Sequence, residues 1–244
     1  MDRQIINRTI QSYIREVEQS IHEPITYRDL EKSTLDEAKA FFLLLPLLNG
    51  EKWSVSLNTS ALAVGAVHAA FDIHDKVDIL EATSKEQQLM VLAGDYFSGV
   101  HYRLLASIPD FKFITAMSEA IGRINETKTD VMMENMASPH ALISAMMCIE
   151  SGCITEFHHR YGFAKYTEIS RIALSLIWLF KIATKDPTVQ NGWRSNNIKS
   201  TDVDTAISIL TTTLHEELMS ANFLNPFLKQ EIHKMATPLL GKTI

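Results

Sequence analysis

The 244-residue chain has 46% hydrophobic and 21% charged residues, which supplies one sizeable packed core and excludes a disordered chain. Nine glycines and seven prolines are too few for a collagen-like or turn-rich β architecture and favour long helices. Twenty-nine acidic against 23 basic residues, net charge −6, argue against a broad basic face for nucleic acid or anionic lipid. Two cysteines cannot form a disulfide framework, so a reducing compartment is expected. The N-terminal MDRQIINRTI lacks the apolar core of a signal peptide. The longest apolar runs, Ala40 to Leu48 and Ile172 to Phe180, fall short of the ~18 residues of a membrane span. A soluble cytoplasmic protein is expected, with no transmembrane segment and no nucleic-acid partner.

The periodicity predicts eight or nine helices and no strand. The first covers Arg3 to His22, with Ile6, Ile10, Tyr13, Ile14 and Val17 on one face. A second starts at Ser33, with Asp36 three residues on beside the free amides, and runs toward Leu48 with Pro46 kinking or ending it. A third spans Asn58 to Leu80 and is rich in small residues (Ala61, Ala63, Gly65, Ala66, Ala69, Ala70) that let another helix approach closely. A fourth opens at Ser84, where Ser84 and Gln87 form a capping pattern. It presents Leu89, Leu92, Ala93, Tyr96, Val100 and Leu104 as an apolar stripe. Pro109 opens a fifth, to about Met136. Ser138-Pro139 starts a sixth, ending near Tyr161-Gly162. Another spans Tyr166 to Thr184, Asp186 to Ser200 is the longest loop, and two more follow, the last opening at Asn225-Pro226. With no repeat or linker, residues 1–244 read as a single all-α domain.

Several residue groups could carry chemistry. Asp72, Asp75 and Asp78, three apart on a helix, fall within an arc of about 120° and could face one hard cation. Lys76 stands among them, however, and a solvated acidic edge is the plainer reading. Cys148, Cys153, His158 and His159 match zinc ligands by type, but steps of five turn each one ~140° further round the helix, away from a convergent site. The His74-Asp75 doublet, with His68 and Asp95 as recruits, would suit a metal-dependent phosphohydrolase, although the dipeptide is common. Asp95 beside Gly94 in an apolar helix must find donors. No glycine-rich phosphate loop, GxSxG elbow or cysteine-nucleophile motif is present.

Two stretches become recognisable together. IHDKV (Ile73 to Val77) resembles the IHDDV that opens the first aspartate-rich motif of trans-prenyl diphosphate synthases. MVLAGDYFSGVHYRLLA (Met90 to Ala106) resembles the LAGD-type helix that follows it there. VLAGDYFSG with INETK (Ile124 to Lys128) more specifically resembles the small subunit, component I, of two-component heptaprenyl diphosphate synthases. IESGCITEFHHRYG (Ile149 to Gly162) is loosely similar to the same family. The strong likeness covers Ala69 to Lys128 and implies a degenerate isoprenoid-synthase helical bundle.

The departures from the catalytic pattern matter. Asp-Asp-x-x-Asp is replaced by Asp75, Lys76, Val77, Asp78 and Ile79, so only Asp75 keeps its carboxylate, and Lys76 repels Mg²⁺. His74, Asp75, Lys76 and Asp78 thus form a degenerate first motif, with Gly94, Asp95 and Tyr96 as the signature of the next helix. The paired arginines, the Gly-Gly-Lys segment and the second aspartate motif are missing; Thr184 and Lys185 stand near where paired aspartates would follow Phe180-Lys181-Ile182. A departing pyrophosphate needs metal ions and cations. The resemblance therefore implies a subunit with no catalytic residue or bound metal of its own. Its partner would be a catalytic large subunit that holds Mg²⁺ and extends farnesyl diphosphate with isopentenyl units, for a menaquinone side chain. Tyr96, Phe97, Val100, Leu104, Phe113, Met117 and Ile121 are the expected apolar contacts with it. Ordering the partner's site and lining the tunnel for the growing isoprenoid chain both stay open at this point, as does an isoprenoid-binding helical scaffold without a synthase partner.

Overall fold

Most of the described helices begin where a side chain can take the first free amides, each such cap contributing about 1 kcal/mol. In the computed structural model, which describes residues 2–24, 28, 30, 35–77, 84–133, 136, 138–186 and 198–237, Asp2 accepts from the Ile5 amide and opens α1 (Arg3–Ser20). Asp36 accepts from the amides of Ala38 and Lys39 and opens α2 (Glu37–Leu43). The cap of this helix is thus Asp36 itself, while the expected cap Ser33 lies outside the described residues. Leu44 interrupts the helix, and α3 (Leu45–Leu48) carries Pro46 in its first turn. Proline lacks the N–H that a continuous helix would need there.

Ser54 opens α4 (Val55–His74) through the Leu57 amide. Ser84 opens α5 (Lys85–Ala106) through the Gln87 amide. Asp110 accepts from the Phe113 amide at the start of α6 (Phe111–Met133). Ser138, followed by Pro139, opens α7 (Pro139–Arg160). A 3₁₀ turn (Ala164–Tyr166) leads into α8 (Thr167–Ala183). Then come α9 (Ser200–Ser220) and α10 (Pro226–Ala236), the latter capped by Asn225 on the Phe227 amide. No strand occurs among the described residues. Most of the expected Asp186 to Ser200 loop lies outside them, and α4 ends six residues before the expected Leu80, closed by bonds from Lys76 to Ile73 and from Val77 to His74.

The chain divides into two compact units, Met1–Thr115 and Ala116–Ile244. In the first, α4 is the central element. Its residues from Ser60 to Ala70 are buried all round except Leu62, as are Phe71 and Ile73, the signature of a core helix rather than a surface one. α1 crosses it where Gly65 leaves room: a Cβ there would lie 2.5 Å from Val17 Cγ2 and 2.6 Å from the Tyr13 hydroxyl. Tyr13 donates to the Ala61 carbonyl at 2.7 Å, and burial pushes its phenol pKa up, so it stays protonated. From the other side, α5 runs antiparallel to α4. Its His101 donates from Nδ1 to the Ala63 carbonyl at 2.7 Å, since a carbonyl can only accept. Asn58 donates to Glu16, and Arg103 reaches the Ser20 carbonyl at 3.4 Å.

In the second unit α6 and α7 are antiparallel. Arg123 meets Glu156 at 2.7 Å, Ile124 packs over Gly152, and Thr127 donates to Cys148 Sγ at 3.5 Å. α8 lies against α7, α9 and α10 and buries Ile169, Ile172, Leu176, Leu179 and Phe180. Tyr161 ends α7, and Gly162 follows at φ +79°, the left-handed conformation that favours glycine.

Three outcomes are expected. Gly65→Ala should cost about 1–3 kcal/mol in urea unfolding, because Val17 and Tyr13 must move. Gly122→Ala, exposed on α6 with open space around it, should gain about 0.5–1 kcal/mol. His101 is buried, and desolvation lowers its pKa despite the Ala63 bond. The unfolded chain therefore takes up a proton first, and stability should fall as pH drops below about 6.5, by at most ~1.4 kcal/mol per pH unit. Urea midpoints between pH 5 and 8 check this, and His101→Gln should flatten that slope.

Candidate functional site

The two stretches that carry the family likeness meet where α4 ends. His74 is the last residue of α4, and its imidazole lies over the Cα of Gly94 on α5. A Cβ on Gly94 would sit 2.5 Å from Cε1 and 2.6 Å from Cδ2 of that ring. The next residue, Asp95, places Oδ1 3.7 Å from His74 Nε2. The His-Asp and Gly-Asp dipeptides therefore form one clasp: glycine makes the seat, the ring fills it, and the carboxylate faces the ring nitrogen. Both partners are solvent-accessible, so the ion pair itself adds little when the histidine is charged; the shape match is the stronger constraint.

The other carboxylates at this end are also engaged or hemmed in. Asp72 faces Lys39 of α2 at 3.6 Å, and the lysine side chain is only 12% exposed. Asp75 caps the C-terminus of α4 and is half-buried, with Lys76 exposed next to it. Asp78 lies outside the described residues. This donor set does not suit Mg²⁺, which wants several carboxylate oxygens free of competing cations. Here Lys39 and His74 face two of the acids, and Lys76 is joined to the third. Among the described residues no three His, Cys, Asp or Glu side chains gather as a metal cluster. His68 is buried with its ring edge-to-face to Phe71, six residues up the helix from His74. Cys153 and His158 are buried, Cys148 is half-buried against Thr127, and His159 is exposed.

The expected apolar stripe of α5 is rotated by about 100°, one residue step. Leu92 is 61% exposed, whereas Gln87, Ala93, Gly94, Phe97, Val100, His101 and Leu105 are buried. Small and polar residues hold the inner face because His74 and the Ala63 carbonyl need them there, so a count of apolar residues points the wrong way. Of the expected partner contacts, Phe97, Val100, Phe113 and Met117 are buried within this chain, and only the half-buried Tyr96, Leu104 and Ile121 keep surface to offer. Sequence reasoning missed His101 and Lys39. His101 stands seven residues after Gly94, on the same helical face, which is the signal that could have found it.

The described helices superpose on those of prenyl diphosphate synthases. A geranylgeranyl pyrophosphate synthase from Lactobacillus brevis aligns with TM-score 0.67 at 13% identity, over 99% of this chain and 100% of that one. A mint heterotetrameric geranyl pyrophosphate synthase gives 0.63 at 14%, over 96% and 99%. A Staphylococcus aureus heptaprenyl diphosphate synthase gives 0.58 at 14%, over 95% and 98%. At such identities the likeness defines the class of fold: an all-α isoprenoid-synthase bundle. The family follows from the sequence. Residues 26–222 match the profile described as heptaprenyl diphosphate synthase (HEPPP synthase) subunit 1, and the chain belongs to that family. A heptaprenyl diphosphate synthase component 1 from Geobacillus stearothermophilus is 32% identical over 99 residues, 41% of this chain and 45% of that relative. The match thus spans less than half of the relative's length.

The clasp makes a testable claim. Gly94→Ala should cost about 1–3 kcal/mol, and most of that loss should vanish in a His74→Ala background, a coupling of at least about 1 kcal/mol in a double-mutant cycle by urea unfolding. Additive losses would mean that the ring does not fill the glycine seat.

Proposed function

We propose that this chain is the non-catalytic subunit of a two-component all-trans heptaprenyl diphosphate synthase working in the cytoplasm. It pairs with a catalytic large subunit that extends farnesyl diphosphate with isopentenyl diphosphate, and the product serves as a menaquinone side chain. The observation that carries the reading is the state of the first aspartate motif. In the catalytic pattern that motif offers carboxylates to Mg²⁺ on the allylic diphosphate. Here Asp75 keeps the first carboxylate and Lys76 replaces the second aspartate, while the neighbouring Asp72 and Asp95, outside the motif, face Lys39 and His74.

Ionising an allylic diphosphate sheds concentrated negative charge, which must be met by metal ions and cations already in place. A chain that keeps the bundle but directs its acids to its own basic groups is suited to support such chemistry in another polypeptide. Ordering the partner's site and forming part of the wall along the growing isoprenoid are the two routes open to it.

The experiment combines the purified chain, farnesyl diphosphate, labelled isopentenyl diphosphate and Mg²⁺, with and without the catalytic subunit. The chain alone should give no elongation, and the pair should give long-chain product. Robust turnover by the chain alone would overturn the proposal.

A further inference from the structure

Two very exposed apolar side chains stand at one end of the first unit. Val55, in the first turn of α4, is 86% exposed, and Phe111, the first residue of α6, is 80% exposed. With Met133 they are the most exposed large apolar side chains among the described residues. That they share an end follows from the bond between His101 and the Ala63 carbonyl. Val55 lies eight residues before Ala63, about 12 Å along α4. α5 runs the opposite way, ends at Ala106, five residues beyond His101, and residues 107–110 lead into Phe111. Single apolar residues are ordinary on a surface; here the charges around the pair supply a second observation.

Within residues 49–57 and 107–115 the charged side chains are Glu51, Lys52, Asp110 and Lys112. Both lysines are exposed, whereas both acids are half-buried, and Asp110 is spent on the Phe113 amide. The charge presented outward here is therefore positive, although the whole chain carries −6. That net charge excludes a broad basic face, not two lysines beside two apolar tips. Lysine is depleted where proteins meet proteins. Apolar tips flanked by cations are instead the means by which a protein seats itself on an anionic bilayer. No helix among the described residues is long and apolar enough to cross a membrane, so such a contact stays at the interface.

We infer that this end of the first unit, Val55 and Phe111 flanked by Lys52 and Lys112, is a docking site for an anionic lipid surface. The two apolar side chains enter the headgroup layer, and the lysines meet the lipid phosphates. This goes beyond the proposed function, which concerns a protein partner and holds with or without a membrane.

Flotation of the full chain with lipid vesicles tests it. Vesicles of phosphatidylcholine with about one-third phosphatidylglycerol should bind the chain at least about tenfold more tightly than pure phosphatidylcholine, and the binding should weaken as salt rises. Phe111→Ser and Val55→Ser should each weaken it at least about fivefold. Lys52→Glu combined with Lys112→Glu should lower it to the level of pure phosphatidylcholine. All four positions face solvent, so melting temperatures should stay within about 2 °C of wild type, which separates site loss from misfolding. Phe111→Trp should add emission that brominated lipid quenches, beyond the signal of the chain's own three tryptophans.

Equal or absent binding to the two kinds of vesicle, binding unchanged by both serine variants, or no added quenching with Phe111→Trp each overturns the inference. If vesicles are not bound and the same variants weaken only association with the catalytic subunit, this end is a protein contact. The inference then fails while the proposed function stands.

Discussion

Everything in the first unit is organised around the narrow middle of α4. Alanines and one glycine strip this helix of bulk between Ala61 and Ala70, so its backbone is within reach of its neighbours' side chains. Tyr13 of α1 and His101 of α5 take carbonyls only two residues apart, Ala61 and Ala63. Each bond is made away from water, where an unmade one would cost about 1–3 kcal/mol. Together they set the position of α1 and α5 along α4 and leave little freedom to slide. Once α5 is held at Ala63, its antiparallel course brings Gly94 under His74. The clasp that defines the candidate site thus follows from how the middle of the helix is pinned.

The same geometry explains how a synthase-like bundle can hold its shape while departing from the catalytic pattern. The acids around the end of α4 are not idle relics: Asp72 of α4 meets Lys39, and Asp95 of α5 faces His74. A carboxylate that helps hold helix ends is not readily available as a metal ligand. The family to which the chain belongs is described as subunit 1 of its synthase.

Helix starts were legible in the sequence because capping is local chemistry between a side chain and amides two or three residues on. Ser84, Ser138 with Pro139, and Asn225 with Pro226 act as their spacing predicts. The sequence pattern places the start of α4 at Asn58 rather than Ser54, because the first turn, with exposed Val55 and Ser56, buries no apolar face. The inward side of α5 was not legible. Its burial depends on partners far away in sequence, His74 for Gly94 and Ala63 for His101, and a polar residue there looks like surface until its acceptor is known. At the site, the two family stretches were visible separately. That one supplies the ring and the other the seat is a three-dimensional fact, since 19 residues separate His74 from Gly94. Asp36 as a cap, rather than a first-turn acid, shows a smaller version of the same limit: the residue type was right and its register was not.

A helix whose middle is almost wholly buried carries a liability during synthesis. When α4 has left the ribosome and α5 has not, a segment of some ten consecutive small and oily residues has only α1 and the short α2–α3 pair to shield it. The nascent chain must then either wait in a loosely collapsed form or be sheltered by a chaperone until the seventh-from-Gly94 imidazole arrives to close the wall. Shortening the delay between these two segments, or placing a slow-translated codon cluster there, bears on yield without altering a single contact of the finished molecule.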